Sequence, residues 1–219
     1  MANRSISSPA IDLGLCDYTE ALGVQKRFVD MVKKGEIEKA LIFVTHPPVY
    51  TIGRKADPGN YPGIQPIVTE RGGDITFHGP GQLVVYPILR VGGDRPDVRK
   101  FVGDIQEIVE RTLQRHGYMT ARSTEPGIWV VSGGSSKKVA SVGLALDHFI
   151  SYHGVAINIS AESLPGFNKI KPCGLDPSVM GYVEIDRRDL MNGLIESFSE
   201  RYGPFQAMDA EGIVARIKP

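Results

Sequence analysis

Only two cysteines, Cys16 and Cys173, occur in 219 residues. Their surroundings are unlike, so they do not form a disulfide framework, and their number fits a reducing compartment. No stretch is long and apolar enough to span a bilayer, and Met1 to Ser5 lead into no apolar signal core. A cytoplasmic protein with no membrane partner is expected. Charge excess is missing too: 25 basic residues balance 25 acidic ones, so no net field draws in nucleic acid. The chain has no internal repeat, no low-complexity linker, no Walker loop and no dinucleotide fingerprint.

What is present is ordinary globular material, 42% apolar and 23% charged. Its length suits one large domain with a substantial core. A single domain over residues 1–219 is expected, a small C-terminal subdomain after Pro172 being the alternative. Three stretches have helical periodicity. The first opens with Asp17 and Glu20, spaced as a capping box, and carries Ala21, Val24, Phe28, Met31 and Val32 on one face. The second runs from Val98 to Leu113, with Gly117 as its stop. The third opens near Asp186 and ends at Gly203-Pro204. Runs rich in branched and aromatic residues predict strands at Ala40 to Thr45, Gln82 to Leu89, Gly127 to Val131, Val139 to Leu146 and Ile150 to Ile159. Asp147-His148 is read as a hairpin turn and Gly133 to Ser136 as a flexible loop. Without a regular βαβ rhythm, the order predicts an α+β fold, a mainly antiparallel sheet flanked by helices.

Cys173 carries the strongest chemical signal. It stands between Pro172, which fixes a backbone angle, and Gly174, which opens conformations closed to other residues. Such a setting can hold a sulfur still with one side open. Cys16, beside Leu15, reads as a core filler. A second segment, Arg71 to Gln82, offers a cation, a carboxylate, a hydroxyl and an imidazole on a Gly- and Pro-rich backbone that can approach a ligand closely. Read plainly, it is a pair of turns around a short strand. Lys138 enters a strand, and a lysine there usually points to water. The small residues Ala140, Ser141 and Gly143 leave space on the sheet beside it. His153 reads as a base, a ligand contact or, by default, a hydrogen-bonded core histidine. His78, His153 and Cys173 lack the close spacing of zinc ligands.

Taken together, His46 to Arg54, Arg71 to Gln82, Lys138 to Gly143, Tyr152 to Asn158 and Pro172 to Leu175 resemble, in order, the lipoyl(octanoyl) transferase family. The resemblance covers about Leu41 to Leu175. It implies the fold of the biotin/lipoate protein ligase catalytic domain and no cofactor or metal. It implies transfer of an octanoyl or lipoyl group from acyl carrier protein to a lysine of lipoyl domains, those of 2-oxoacid dehydrogenases and the glycine cleavage H protein. It implies an acyl thioester on Cys173, with Lys138 as acid and base. It also implies that Arg71, Gly72, Gly73, Asp74, Ile75, Thr76, Phe77 and His78 line the acyl pocket, together with Ser141, Val142, Gly143, Gly154, Val155 and Ala156. Ser141 stands where many members have alanine. The small residues Ala140, Gly143, Gly154 and Ala156 are expected to make room for the chain, and backbone amides near Gly79 or Gly143 to receive the oxyanion.

Overall fold

A computed structural model of the chain describes residues 8–92, 97–123 and 127–210. Helix α1 (Tyr18–Lys34) begins where the Asp17 carboxylate accepts the Thr19 and Glu20 amides, and stops at Gly35 in the left-handed conformation. Helix α2 (Val98–Arg115) and helix α3 (Arg187–Tyr202) are capped by Asp97 and Asp186 in the same way. All three follow the periodicity of the sequence. No helix among the described residues is long and apolar enough to cross a membrane.

The strands are β1 (Pro9–Leu15), β2 (Ala40–Thr45), β3 (Val49–Ile52), β4 (Ile67–Val68), β5 (Thr76–His78), β6 (Gln82–Ile88), β7 (Thr120–Ala121), β8 (Ile128–Ser132), β9 (Ser135–Asp147), β10 (Ile150–Asn158) and β11 (Gln206–Met208). Eight form one sheet in the order β11-β1-β2-β6-β10-β9-β8-β7. Pairing is antiparallel from β2 to β7 and parallel for β11-β1 and β1-β2. A second, small sheet has the order β4-β3-β5. The α+β architecture with a mainly antiparallel sheet is therefore the observed one.

Alternation on the central strands separates two cores. Leu41, Phe43, Leu83, Val85 and Ile157 pack against α2 and α3, while Ile42, Val44, Val84, Tyr86 and Ala156 face the side covered by α1. Because both faces are covered, these strands read as continuous apolar runs. After Pro172 the chain adds α3 to the core shared with α2, and β11 to the sheet edge. Two turns differ from expectation by small shifts. The β9–β10 hairpin turns on His148 and Phe149, both at positive φ (47° and 64°), as a two-residue hairpin turn of matching twist requires. Gly133 and Gly134 alone form the β8–β9 turn; Ser135 and Ser136 already belong to β9.

Candidate active site

Lys138 reaches its position through a bulge. Along β8 and β9, Ile128 pairs with Ala140 but Trp129 pairs with Lys138, so Val139 is an extra residue. Val139 and Ala140 consequently both enter the α2–α3 core, while Lys138 and Ser141 both face a pocket on the α1 side. Strict alternation would have placed Lys138 and Ser141 on opposite faces. Lys138 is 1% exposed. Its stem lies over Gly127, where a Cβ would stand 2.5 Å from the lysine Cε. Its neighbour Lys137 instead donates to the Ser178 carbonyl at 2.8 Å.

Cys173 opens on the same pocket from a single 3-10 turn, Pro172–Gly174. Its backbone is left-handed (φ 56°, ψ 33°) and Gly174 follows at φ 78°. A non-glycine residue held there stores backbone strain, a feature that concentrates at functional sites. The thiol is free and half-buried. The turn is braced by the segments before β4 and β5: the Lys171 amide donates to the Asn60 carbonyl at 2.8 Å, and Asn60 Nδ2 donates to the Asp74 carboxylate. Asp74 also accepts the Asp57 amide at 3.0 Å and the Ile75 amide at 2.6 Å.

Of the segment 71–78, Arg71, Gly73, Thr76 and His78 line the pocket. Gly72, Asp74, Ile75 and Phe77 do not. Ile75 and Phe77 alternate away into a small core with Phe167, Ile170 and Met180, and Asp74 serves the brace. Ser141, Val142 and Gly143 line the pocket, as do Gly154, Val155 and Ala156. The small residues act differently from expectation, however. A Cβ on Gly143 would stand 3.0 Å from Arg71 Cδ, and one on Gly154 would stand 2.0 Å from the Val85 carbonyl oxygen. Their missing side chains admit Arg71 and the neighbouring strand. Ala140 faces the opposite core, which leaves Ala156 as the small side chain that widens the slot. Gly79 packs against the Phe77 ring and is outside the pocket lining.

The empty space of the pocket, counting its open mouth, is about 520 Å³. Its lining includes buried polar side chains. Arg71, buried, donates to the Thr51 carbonyl at 2.6 Å and hydroxyl at 3.0 Å and to the Gly72 carbonyl at 3.0 Å, with Nε unpartnered. Burial lowers its pKa from the usual arginine value. His78 is held well below the ordinary imidazole range by burial, and further by His46 and Arg71. His153, at φ 57°, accepts no ladder role for its amide, which donates to the Gln25 carboxamide at 2.7 Å. Its imidazole is lowered to about 4 by burial and then by Arg71; Glu70, 3.7 Å from Nε2, does not offset this.

Tyr18, Val84 and Tyr86 also line the pocket and escaped sequence reading, since each looks like a core residue of its own element. His46, recognised only as part of a motif, backs Tyr86: the Tyr86 hydroxyl donates to His46 Nε2 at 2.7 Å, and His46 Nδ1 donates to the Cys16 carbonyl at 2.8 Å. The carbonyl can only accept, which fixes the tautomer. Among the described residues, no group of three His, Cys, Asp or Glu side chains is arranged to hold a metal ion.

A pocket lined by a half-buried sulfur and a buried amine suits covalent transfer. The sequence is 41% identical over 187 residues to the octanoyltransferase of Alkaliphilus metalliredigens, covering 80% of this chain and 84% of that one. It is 42% identical over 171 residues to a probable octanoyltransferase of Pyrobaculum arsenaticum, covering 77% of each. In fold it is similar to lipoate-protein ligase A bound with ATP, with a TM-score of 0.74 at 16% identity over 97% of this chain and 94% of that one. The profile of the lipoyl protein ligase A/B catalytic domain matches residues 17–190, and the chain belongs to that family.

Proposed function

We propose that this protein is an acyltransferase that moves an octanoyl group from acyl carrier protein to a specific lysine of lipoyl domains, including those of 2-oxoacid dehydrogenases and the glycine cleavage H protein. The observation that carries this reading is the opening of Cys173 and Lys138 onto one slot, in a chain closely similar to named octanoyltransferases. Cys173 Sγ attacks the thioester carbonyl, and the carbon–sulfur bond to the carrier thiol breaks. The new thioester is close in energy to the old one, so the cysteine holds the chain at little cost. The attacking species is a thiolate. A lysine ammonium about 4 Å from a thiolate is worth about 4 kcal/mol at an effective dielectric near 20. Lys138 takes the thiol proton and gives it to the departing carrier thiol. The acceptor lysine amine then attacks the acyl-cysteine. An amide bond forms, the Cys173 carbon–sulfur bond breaks, and Lys138 relays the amine's proton to the freed sulfur. Arg71, Gly73, Thr76, His78, Ser141, Val142, Gly143, Gly154, Val155 and Ala156 form the acyl slot; His78, neutral and buried, is a wall and not the base.

The test is intact-protein mass spectrometry after mixing with octanoyl-acyl carrier protein, without ATP. The parent gains one octanoyl mass, discharged by an apo-lipoyl domain. Cys173→Ala gains none, and Lys138→Ala acylates at least about a hundredfold more slowly. A Cys173→Ala protein that still transfers octanoate, or transfer that requires ATP, overturns the proposal.

A further inference from the structure

A slot for one chain length needs a floor. Here the pocket lining includes residues of β9, β10 and β6, neighbours in the sheet. Lys138 lies at the β8 side, its stem against Gly127. Ser141 on β9, Ala156 on β10 and Val84 on β6 then form one row, joined by the pairs Ala156–Ser141 and Ala156–Val84. Crossing two inter-strand spacings covers about 10 Å, close to the span of an extended eight-carbon acyl chain. Tyr86, two residues along β6 from Val84 and on the same face, also lines the pocket.

Tyr86 cannot easily step aside. It is 3% exposed, and its hydroxyl is spent on His46, which is fully buried and tied in turn to the Cys16 carbonyl. Tyr18, from the first turn of α1, also lines the pocket. Its ring lies 5.2 Å from that of His46 and stacks on His78 at 5.7 Å between centroids. Its hydroxyl meets His153 Nδ1 at 3.3 Å. Four rings from α1, β5, β6 and the turn after β2 thus form one packed wall. A longer chain would displace Tyr86 and strip His46 of its partner, leaving a buried polar atom unmatched. It would also press methylenes onto hydroxyls and imidazoles.

We infer that Tyr86, with Val84 beside it on β6 and His46 and Tyr18 behind it, is the stop that sets acyl-chain length. This rests on the acyltransferase reading above. Val84 and Tyr86 are specificity-determining residues, and His46 positions Tyr86.

The experiment compares kcat/KM for hexanoyl-, octanoyl- and decanoyl-acyl carrier protein, with the acyl adduct on Cys173 weighed in parallel. Tyr86→Ala deepens the slot and raises the decanoyl-to-octanoyl ratio at least about tenfold. Val84→Phe shortens it and raises the hexanoyl-to-octanoyl ratio by a similar factor. If Tyr86→Ala does not fold, as judged by circular dichroism, Val84→Phe and the milder Val84→Ala decide. A parent that transfers octanoate while the folded variants keep its ratios overturns the stop alone. A parent that transfers no octanoate overturns the functional reading, and this inference with it.

Discussion

At the scale of single residues, Cys173 is set apart less by its sulfur than by its backbone. A left-handed conformation costs an ordinary residue about 1–2 kcal/mol, and the Cys173 turn holds it through the Lys171–Asn60–Asp74 brace. Glycine would relieve that cost and alanine would not. Cys173→Gly is therefore expected to unfold at higher denaturant than Cys173→Ala, by about 1 kcal/mol. Equal midpoints would mean that the turn stores no strain. The flanking Pro172 and Gly174 made this special backbone legible in the sequence, and Lys138 was legible through its motif. Tyr18, Tyr86 and Val84 were not, because nothing local distinguishes a tyrosine that floors a pocket from one that fills a core.

At the scale of elements, strand β9 decides the site. A lysine and a serine three apart fall on opposite faces of a regular strand; the extra residue Val139 brings Lys138 and Ser141 to the same one. Strand β10 packs so tightly on β6 that Gly154 has no space for a methyl group, with the Val85 oxygen 2.0 Å from a Cβ there and Pro87 Cδ at 2.9 Å. Gly154→Ala should cost about 3 kcal/mol in urea unfolding; a loss below about 1 kcal/mol would show that the strands adjust freely. The three helices stood out because each repeats its period several times, and the five long strands because each is a run rich in branched and aromatic residues. Strands β1, β3, β4, β7 and β11 did not, and β5 was legible only as the short strand between the turns of Arg71 to Gln82. Strands β3, β4, β5, β7 and β11 are two to four residues long, and β1 begins with Pro9 and contains Gly14, both unfavourable inside strands.

At the scale of the whole molecule, the buried rings behind the pocket link stability to pH. An unfolded histidine titrates near 6.5, whereas folded His153 is lowered to about 4 and folded His78 is also lowered. Above pH 6.5 both states hold these rings neutral and nothing changes. Between pH 6.5 and 4 the unfolded chain binds protons that the folded one refuses, so stability falls as pH falls through that window. His153 alone accounts for a loss on the order of 3 kcal/mol by pH 4. Denaturant midpoints measured from pH 7 to 4 should drop, and His153→Gln should flatten that drop. A parent whose midpoint is level down to pH 4 would contradict the buried, neutral state of His153.

The sequence by itself determined the helices, the long strands, the α+β class and the cysteine turn, because periodicity, caps and turn residues act over a few neighbours. Only the tertiary structure decided that Lys138 faces the slot, that Gly143 and Gly154 yield their space to Arg71 and to strand β6, and that Tyr18, His46, His78 and Tyr86 meet as one wall. Those outcomes depend on a bulge, on strand register and on packing between segments up to about 70 residues apart in the chain, and no local pattern encodes such contacts.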